Sequence, residues 1–222
     1  MATFNFIDAG TLDYRECWDY QETLFSRVVG AKTAGNGAVG ENYFILVEHP
    51  HVYTLGKSGD ESNLLIRPEF LEKIGATFYR INRGGDITYH GPGQLVGYPV
   101  IDLEYFRMGI REYIEKMEEA IIETLAAYGI SGSRKEGATG VWLDATQASK
   151  ARKICAIGVR VSRYVTMHGF ALNVNTDLRY FGYINPCGFN SSAVTSMQQE
   201  LGRPVEMAEV KEVIREKFNL TY

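Results

Sequence analysis

Apolar residues recur along this chain with two periods. From Leu12 to Val29 they include Tyr14, Cys17, Trp18, Leu24, Phe25, Val28 and Val29, the stripe of an amphipathic helix. A second helix is predicted over Arg111–Tyr128, where Ile114, Met117, Ile121 and Leu125 share one side and Gly129 supplies a stop. A terminal helix covers about Glu206–Phe218, and a short one, Pro68–Ile74, opens on its proline. Elsewhere the apolar runs have strand length: Thr3–Asp8, Tyr43–Val47, Val52–Leu55, Ala76–Ile81, Leu95–Ile101, Gly140–Leu143, Lys153–Val161 and Val165–Val174. The last two flank Ser162-Arg163-Tyr164, a hairpin spacing. Gly30–Gly40 and Gly56–Asn63 read as loops, and Tyr183–Ser192 as an irregular segment. Hairpins mixed with helices, and no internal repeat, predict an α+β fold: a mixed β-sheet with flanking helices in one domain over residues 1–222.

Composition narrows the function classes. An apolar fraction of 45% supports a core and excludes disorder, while a net charge of −4 gives no basic footprint for nucleic acid. A local basic cluster, Arg134, Lys135, Lys150, Arg152 and Lys153, is a candidate contact for an acidic partner. Cys17, Cys155 and Cys187 are odd in number and widely spaced, without a CxxC. Neither a disulfide framework nor a cysteine-rich zinc site is expected, and a reducing compartment fits. The stretch MATFNFIDAGTLDYRE lacks the basic and apolar regions of a signal peptide, and no apolar run has the length of a membrane span. A cytoplasmic location away from the membrane is expected.

The stretch RGGDITYHGPGQLVGYPVIDL, from Arg83 to Leu103, departs from ordinary loop composition. Gly84-Gly85 and Gly91-Pro92-Gly93 permit backbone angles closed to other residues and let a ligand approach the main chain. Arg83 can bind an anion, and His90 can donate or accept a proton. The alternative is two tight turns around a strand with a structural histidine. The stretch matches neither GxGxxG nor GxxxxGK[ST], so no nucleotide motif is present.

Two further positions carry candidate chemistry. Lys153 heads the strand-like KICAIGVRV, and either snorkels at a sheet edge or serves as a functional amine. Cys187 lies in NPCGFN, where Gly188 leaves space beside the sulfur. Cys155 and Cys17 read as small apolar fillers. A neighbouring ammonium would lower the Cys187 thiol pKa and make a nucleophile. His168, in TMHGFALNVN, is a rival partner that would give a hydrolase-like Cys–His pair, or else a histidine on an exposed strand face.

Taken in order, RGGDITYHGPGQLVGYPVIDL, KICAIGVRVSRYVTMHGFALNVN and NPCGFN, with EHPHVYTLGK upstream, resemble the octanoyltransferases of protein lipoylation over about Tyr43–Ser196. The resemblance implies a fold like the catalytic domain of biotin and lipoate protein ligases. It implies transfer of an octanoyl group from octanoyl-acyl carrier protein to a lysine of lipoyl domains, those of 2-oxoacid dehydrogenases and the glycine cleavage H protein. Cys187 would carry the acyl group as a thioester and Lys153 would be its acid/base partner. Substrate-binding stretches fall on Arg83, Gly84, Gly85, Asp86, Ile87, Thr88, Tyr89 and His90, on Ala156, Ile157 and Gly158, and on His168, Gly169, Phe170 and Ala171. The glycine-rich turn would wall an acyl tunnel, and backbone amides near Gly188 or at His168-Gly169 would hold the oxyanion. No cofactor or metal is implied, and a monomer is expected. The rivals are an ATP-dependent lipoate or biotin ligase of the same fold, a non-catalytic acyl-binding module, and a Cys–His thioesterase.

Overall fold

The unbroken apolar run at Tyr43–Val47 requires apolar surroundings on both faces, and β2 (Tyr43–Glu48) has them. Phe44 and Leu46 enter one hydrophobic cluster, and Tyr43, Ile45 and Val47 enter another. The structure, a computed structural model, describes residues 4–34, 42–185 and 194–222. Its other strands are β1 (Asn5–Thr11), β3 (Val52–Leu55), β4 (Thr77–Arg80), β5 (Ile87–His90), β6 (Gln94–Val100), β7 (Ser133–Lys135), β8 (Ala138–Leu143), β9 (Arg152–Ser162) and β10 (Val165–Asn173). Seven form one sheet in the order β1-β2-β6-β10-β9-β8-β7, and three form a second in the order β4-β3-β5. Each sheet has one parallel pair, β1–β2 and β3–β4, and is otherwise antiparallel.

Helices α1 (Tyr14–Thr33), α2 (Pro68–Lys73), α3 (Ile110–Ala127), α4 (Met197–Leu201) and α5 (Met207–Thr221) complete the fold. The mixed sheet with flanking helices is the expected class. The Asp13 carboxylate caps α1 by accepting the Arg15 and Glu16 amides at 2.8 and 3.4 Å. The helix then runs on to Thr33, into residues expected as loop. α3 stops before Gly129, whose φ of +76° is the usual left-handed helix end. Three elements were not expected as named elements: β5 inside the glycine-rich stretch, β7 and α4.

α3 and α5 cover one face of the large sheet, packing Met117, Ile121, Ile214 and Phe218 on Leu95, Phe170 and Leu172. On the other face, α1 packs Cys17, Leu24 and Val28 against Ile45, Val96, Tyr98 and Ala171. The small sheet has its own core of Tyr53, Leu55, Tyr89, Leu71 and Phe181. The β9–β10 hairpin turns on Arg163 and Tyr164, both left-handed at φ 53° and 61°. Type I′ turns require that geometry, and it is the one that follows the twist of the strands. Lys32 on α1 steadies this turn by donating to the Arg163 carbonyl at 2.9 Å and lying 5.5 Å from the Tyr164 ring centroid. Among the described residues, no helix is long and apolar enough to cross a membrane.

Candidate functional site

A cavity of about 320 Å³ opens where the glycine-rich segment crosses β9 and β10. Its floor is the stretch of sheet with the smallest side chains: β9 and β10 pair Gly158 with Gly169 and Ala156 with Ala171. Its roof is the chain from Arg83 to His90, tied down by the Gly84 amide donating to the Val159 carbonyl at 2.9 Å. The approach is close enough that a Cβ on Gly158 would sit 3.1 Å from Arg83 Cδ and 3.2 Å from the Gly84 oxygen. Gly85, at φ +85°, bends the roof.

The roof is braced mainly by its own polar side chains. Arg83 is 7% exposed, and its guanidinium donates to the Thr54 carbonyl at 2.7 Å, to Thr54 Oγ1 at 3.0 Å and to the Gly84 carbonyl at 3.0 Å. Asp86 accepts from its neighbour Ile87 N–H at 2.7 Å and from Asn63 Nδ2 at 2.7 Å. Ile87, Thr88 and His90 line the cavity; Tyr89 does not. The period-two alternation of β5 sends the Tyr89 ring into the small-sheet core, where its hydroxyl meets His51 Nδ1 at 2.7 Å. The expectation that Tyr89 binds substrate is corrected on that ground.

His168 lies on the wall and is 1% exposed, so the exposed-strand alternative fails. Its φ of +57° is strained for a non-glycine residue inside a strand. Its amide donates to Gln21 Oε1 at 3.0 Å, which makes it unsuitable for an oxyanion. Its Nε2 meets Asn82 Oδ1 at 2.8 Å, and burial holds its pKa down at about 3. His90 is similar: Nδ1 meets Gln94 Oε1 at 2.7 Å, and burial depresses its pKa to about 3. Neither ring is a proton shuttle near neutral pH.

Lys153 occupies the other end. Its Nζ donates to the Thr139 carbonyl at 3.1 Å and lies 4.7 Å from the centroid of the buried Trp142 ring. Lys135 approaches the same ring at 4.6 Å. Val194 lines the cavity and forms a parallel bridge with Lys153, and the Thr195 amide donates to the Lys153 carbonyl at 2.9 Å. Cys187 and Gly188 lie outside the described residues. Cys17 and Cys155 are both 0% exposed; burial lifts the Cys17 pKa to about 12 and raises that of Cys155 further above its usual range. Both are the apolar fillers expected.

Arg83, Gly84, Gly85, Asp86, Ile87, Thr88, His90, Lys153, Ala156, Ile157, Gly158, His168, Gly169, Phe170 and Ala171 therefore share one cavity. Sequence reasoning did not assign Tyr14, Gln94, Val96, Tyr98, Thr139, Trp142, Asn173, Phe181 and Val194 to it. Alternation from Gln94 through Val96 to Tyr98 was a usable signal for three of them. The basic cluster is partly neutralised: Arg134 pairs with Glu118 and Glu119, and Arg152 with Glu200 and Asp144. Among the described residues, no group of His, Cys, Asp or Glu can hold a metal ion.

The family model for the lipoyl protein ligase A/B catalytic domain matches residues 13–219. An octanoyltransferase of Bacteroides fragilis is 61% identical over 201 residues, covering 90% of this chain and 90% of the relative. One from Flavobacterium psychrophilum is 58% identical over 221 residues, covering 97% and 95%. Among solved structures, a bipartite lipoate protein ligase of Thermoplasma acidophilum superposes with a TM-score of 0.72 at 16% identity, covering 100% of this chain and 84% of that one. An ATP-bound lipoate-protein ligase A gives 0.69 at 16% identity, covering 98% and 85%. These two likenesses concern the fold.

Proposed function

The chain belongs to the lipoyl protein ligase A/B catalytic-domain family and is an acyltransferase of the octanoyltransferase kind, and from that premise we propose a two-step route through Cys187. The donor is the octanoyl thioester of acyl carrier protein, and the acceptor is the lysine ε-amine of a lipoyl domain. In the first step the Cys187 thiolate adds to the thioester carbonyl. The carbon–sulfur bond to the carrier breaks, and the Lys153 ammonium gives its proton to the departing thiolate. In the second step the acceptor amine, in its neutral form, adds to the acyl-enzyme. Lys153, now neutral, takes the amine's proton as the Cys187 thiolate leaves. An amide replaces a thioester, so no ATP is consumed.

The observation that carries this reading is the shape of the cavity. A floor of small residues and a roof rich in glycine bound a cavity of about 320 Å³, room for a thin ligand, and Lys153 is on its lining. Val194, just past the segment that holds Cys187, is bridged to Lys153, which supports contact between the two catalytic groups. The oxyanion donors belong in this reading to the Gly188 segment, since the His168 amide is taken by Gln21. A Cys–His thioesterase is disfavoured by the depressed pKa of His168 and its bond to Asn82.

The test is incubation with octanoyl carrier protein, without ATP, followed by intact-mass analysis. The protein should gain one octanoyl group on Cys187 and pass it to an added lipoyl domain. Cys187→Ala should abolish both. Near-normal transfer by that variant would overturn the covalent route, and transfer only with ATP and free octanoate would make the protein a ligase.

A further inference from the structure

Glu118 lies among the buried residues of α3, 6% exposed, where a carboxylate needs partners. One oxygen, Oε2, accepts from Arg134 Nε at 3.1 Å. The other, Oε1, accepts the Gly140 amide at 2.9 Å. That amide belongs to the Thr139–Gly140 peptide, whose carbonyl accepts from Lys153 Nζ at 3.1 Å. The peptide is trans, so its N–H and C=O point to opposite sides. One peptide unit therefore stands between a buried carboxylate and the amine on the cavity lining. The local chain is shaped for this. β7 and β8 pair Lys135 with Ala138 and Arg134 with Val141, so Thr139 and Gly140 bulge from β8 without opposite numbers on β7. Gly140 holds φ at +116°, and that angle sets how the peptide before it faces. A Cβ on Gly140 would sit 2.5 Å from the Cys155 carbonyl oxygen and 3.6 Å from Lys153 Cε. Glycine leaves room for the peptide to turn there while the lysine stem rests against it.

We propose that Glu118 is a positioning residue for Lys153: through the Thr139–Gly140 peptide, its negative charge fixes the carbonyl that binds the amine and favours the amine's charged form. The proposal rests on the acyl-transfer reading above, in which Lys153 must hold a proton before the carrier thiolate leaves. A carboxylate on the N–H side pushes electron density toward the carbonyl oxygen, which strengthens it as an acceptor for an ammonium. The carboxylate and the amine are no more than about 8 Å apart along this path, close enough for direct attraction as well. Charges on β7 oppose the effect. Arg134 pairs with Glu118 and with Glu119, and Lys135 reaches the same Trp142 ring that Lys153 faces. Cys155 on β9 carries no charge, since burial raises its thiol pKa. Two cations so close would favour a neutral lysine, and the carboxylate behind the peptide offsets them.

The experiment titrates Lys153 directly in the full chain, by the pH dependence of its trace acetylation with acetic anhydride, located by peptide mass spectrometry. In Glu118→Gln the side chain can still accept the Gly140 amide, but the charge is gone. The Lys153 midpoint should fall by about one pH unit. A purely structural carboxylate would be replaced by glutamine without a shift, so an unchanged midpoint in the folded variant overturns the proposal. If that variant does not fold, the wild-type chain decides. Its Gly140 backbone nitrogen resonance should move with the Lys153 midpoint, and a resonance that stays put through that titration overturns the proposal. Octanoyl transfer is assayed separately. A shifted midpoint beside normal transfer by Lys153→Ala would sink the acyl-transfer reading and leave the hold of Glu118 on the lysine in place. An unchanged midpoint beside an inactive Lys153→Ala would do the reverse.

Discussion

The two ends of the cavity hold ionisable groups under opposite conditions. At one end Lys153 is half buried, with a carbonyl oxygen and a tryptophan face near its ammonium, surroundings that tolerate a positive charge. At the other, His90 and His168 on the lining, and His49 bonded to the Tyr98 hydroxyl, are sealed from water, and desolvation keeps all three neutral. On the proposed route, one slot would present a proton-handling amine to the reacting carbon and neutral imidazoles, beside the buried Arg83 guanidinium, to the tail. The lesson is that burial, more than residue type, separates the two ends: the lysine keeps surroundings that tolerate a charge, and the histidines do not.

The strongest way to break that contrast is at the charged end. Lys153→Ala should lower transfer by about 10²–10⁴-fold and slow alkylation of Cys187 near neutral pH, read by single-turnover kinetics and iodoacetamide rates. Unchanged alkylation would detach the lysine from the thiol. The neutral end is tested through pH. The three histidine pKa values lie at about 4, 3 and 3 in the folded chain, below the ordinary 6.5. Below pH 6.5 the unfolded chain therefore binds protons that the folded chain refuses, and stability falls as pH falls. The loss at pH 5 should be about 2 kcal/mol per histidine, seen as a steep drop in melting temperature between pH 6.5 and 5. A flat profile there would mean the histidines are solvated.

The floor between the two ends gives a smaller effect. Gly158→Val should cut kcat/KM for octanoyl donors by about tenfold and spare butanoyl donors, because the added methyls press on the roof at Arg83 and Gly84 and leave the amine alone. Equal losses for both donors would mean the floor acts through the fold. Trp142→Leu should cost least, a few-fold in transfer, since a cation–π contact contributes about 0.5–2 kcal/mol. Rescue by Trp142→Phe would separate the ring's electrostatics from its packing.

Much of this was legible beforehand. β3 falls on Val52–Leu55 as expected, because a short β-branched and aromatic run between polar segments has few alternatives. The glycine-rich roof stood out by composition, while the β9 residues Ala156, Ile157 and Gly158 were named only through the family resemblance; both lie on the cavity lining. The misses have local causes. Tyr89 sits within a motif, but a motif does not say which face of β5 a ring takes. His168 gave no sign of its left-handed backbone, which depends on Gln21 and Asn82, distant in sequence. The basic cluster is partly neutralised because Glu118 and Glu200 arrive from helices that the chain order does not place beside Arg134 and Arg152. The Cys187 assignment lies outside the described residues and stands on the resemblance and on its neighbours.

The hairpin at Arg163-Tyr164 offers an engineering handle. Both residues hold a conformation that favours asparagine and glycine, so an Asn-Gly graft would relieve steric strain at the hinge of the two strands that carry the slot floor. A scaffold hardened in this way, ten residues along the chain from Lys153, would tolerate the long incubations needed to look for the proposed acylated species by crystallisation.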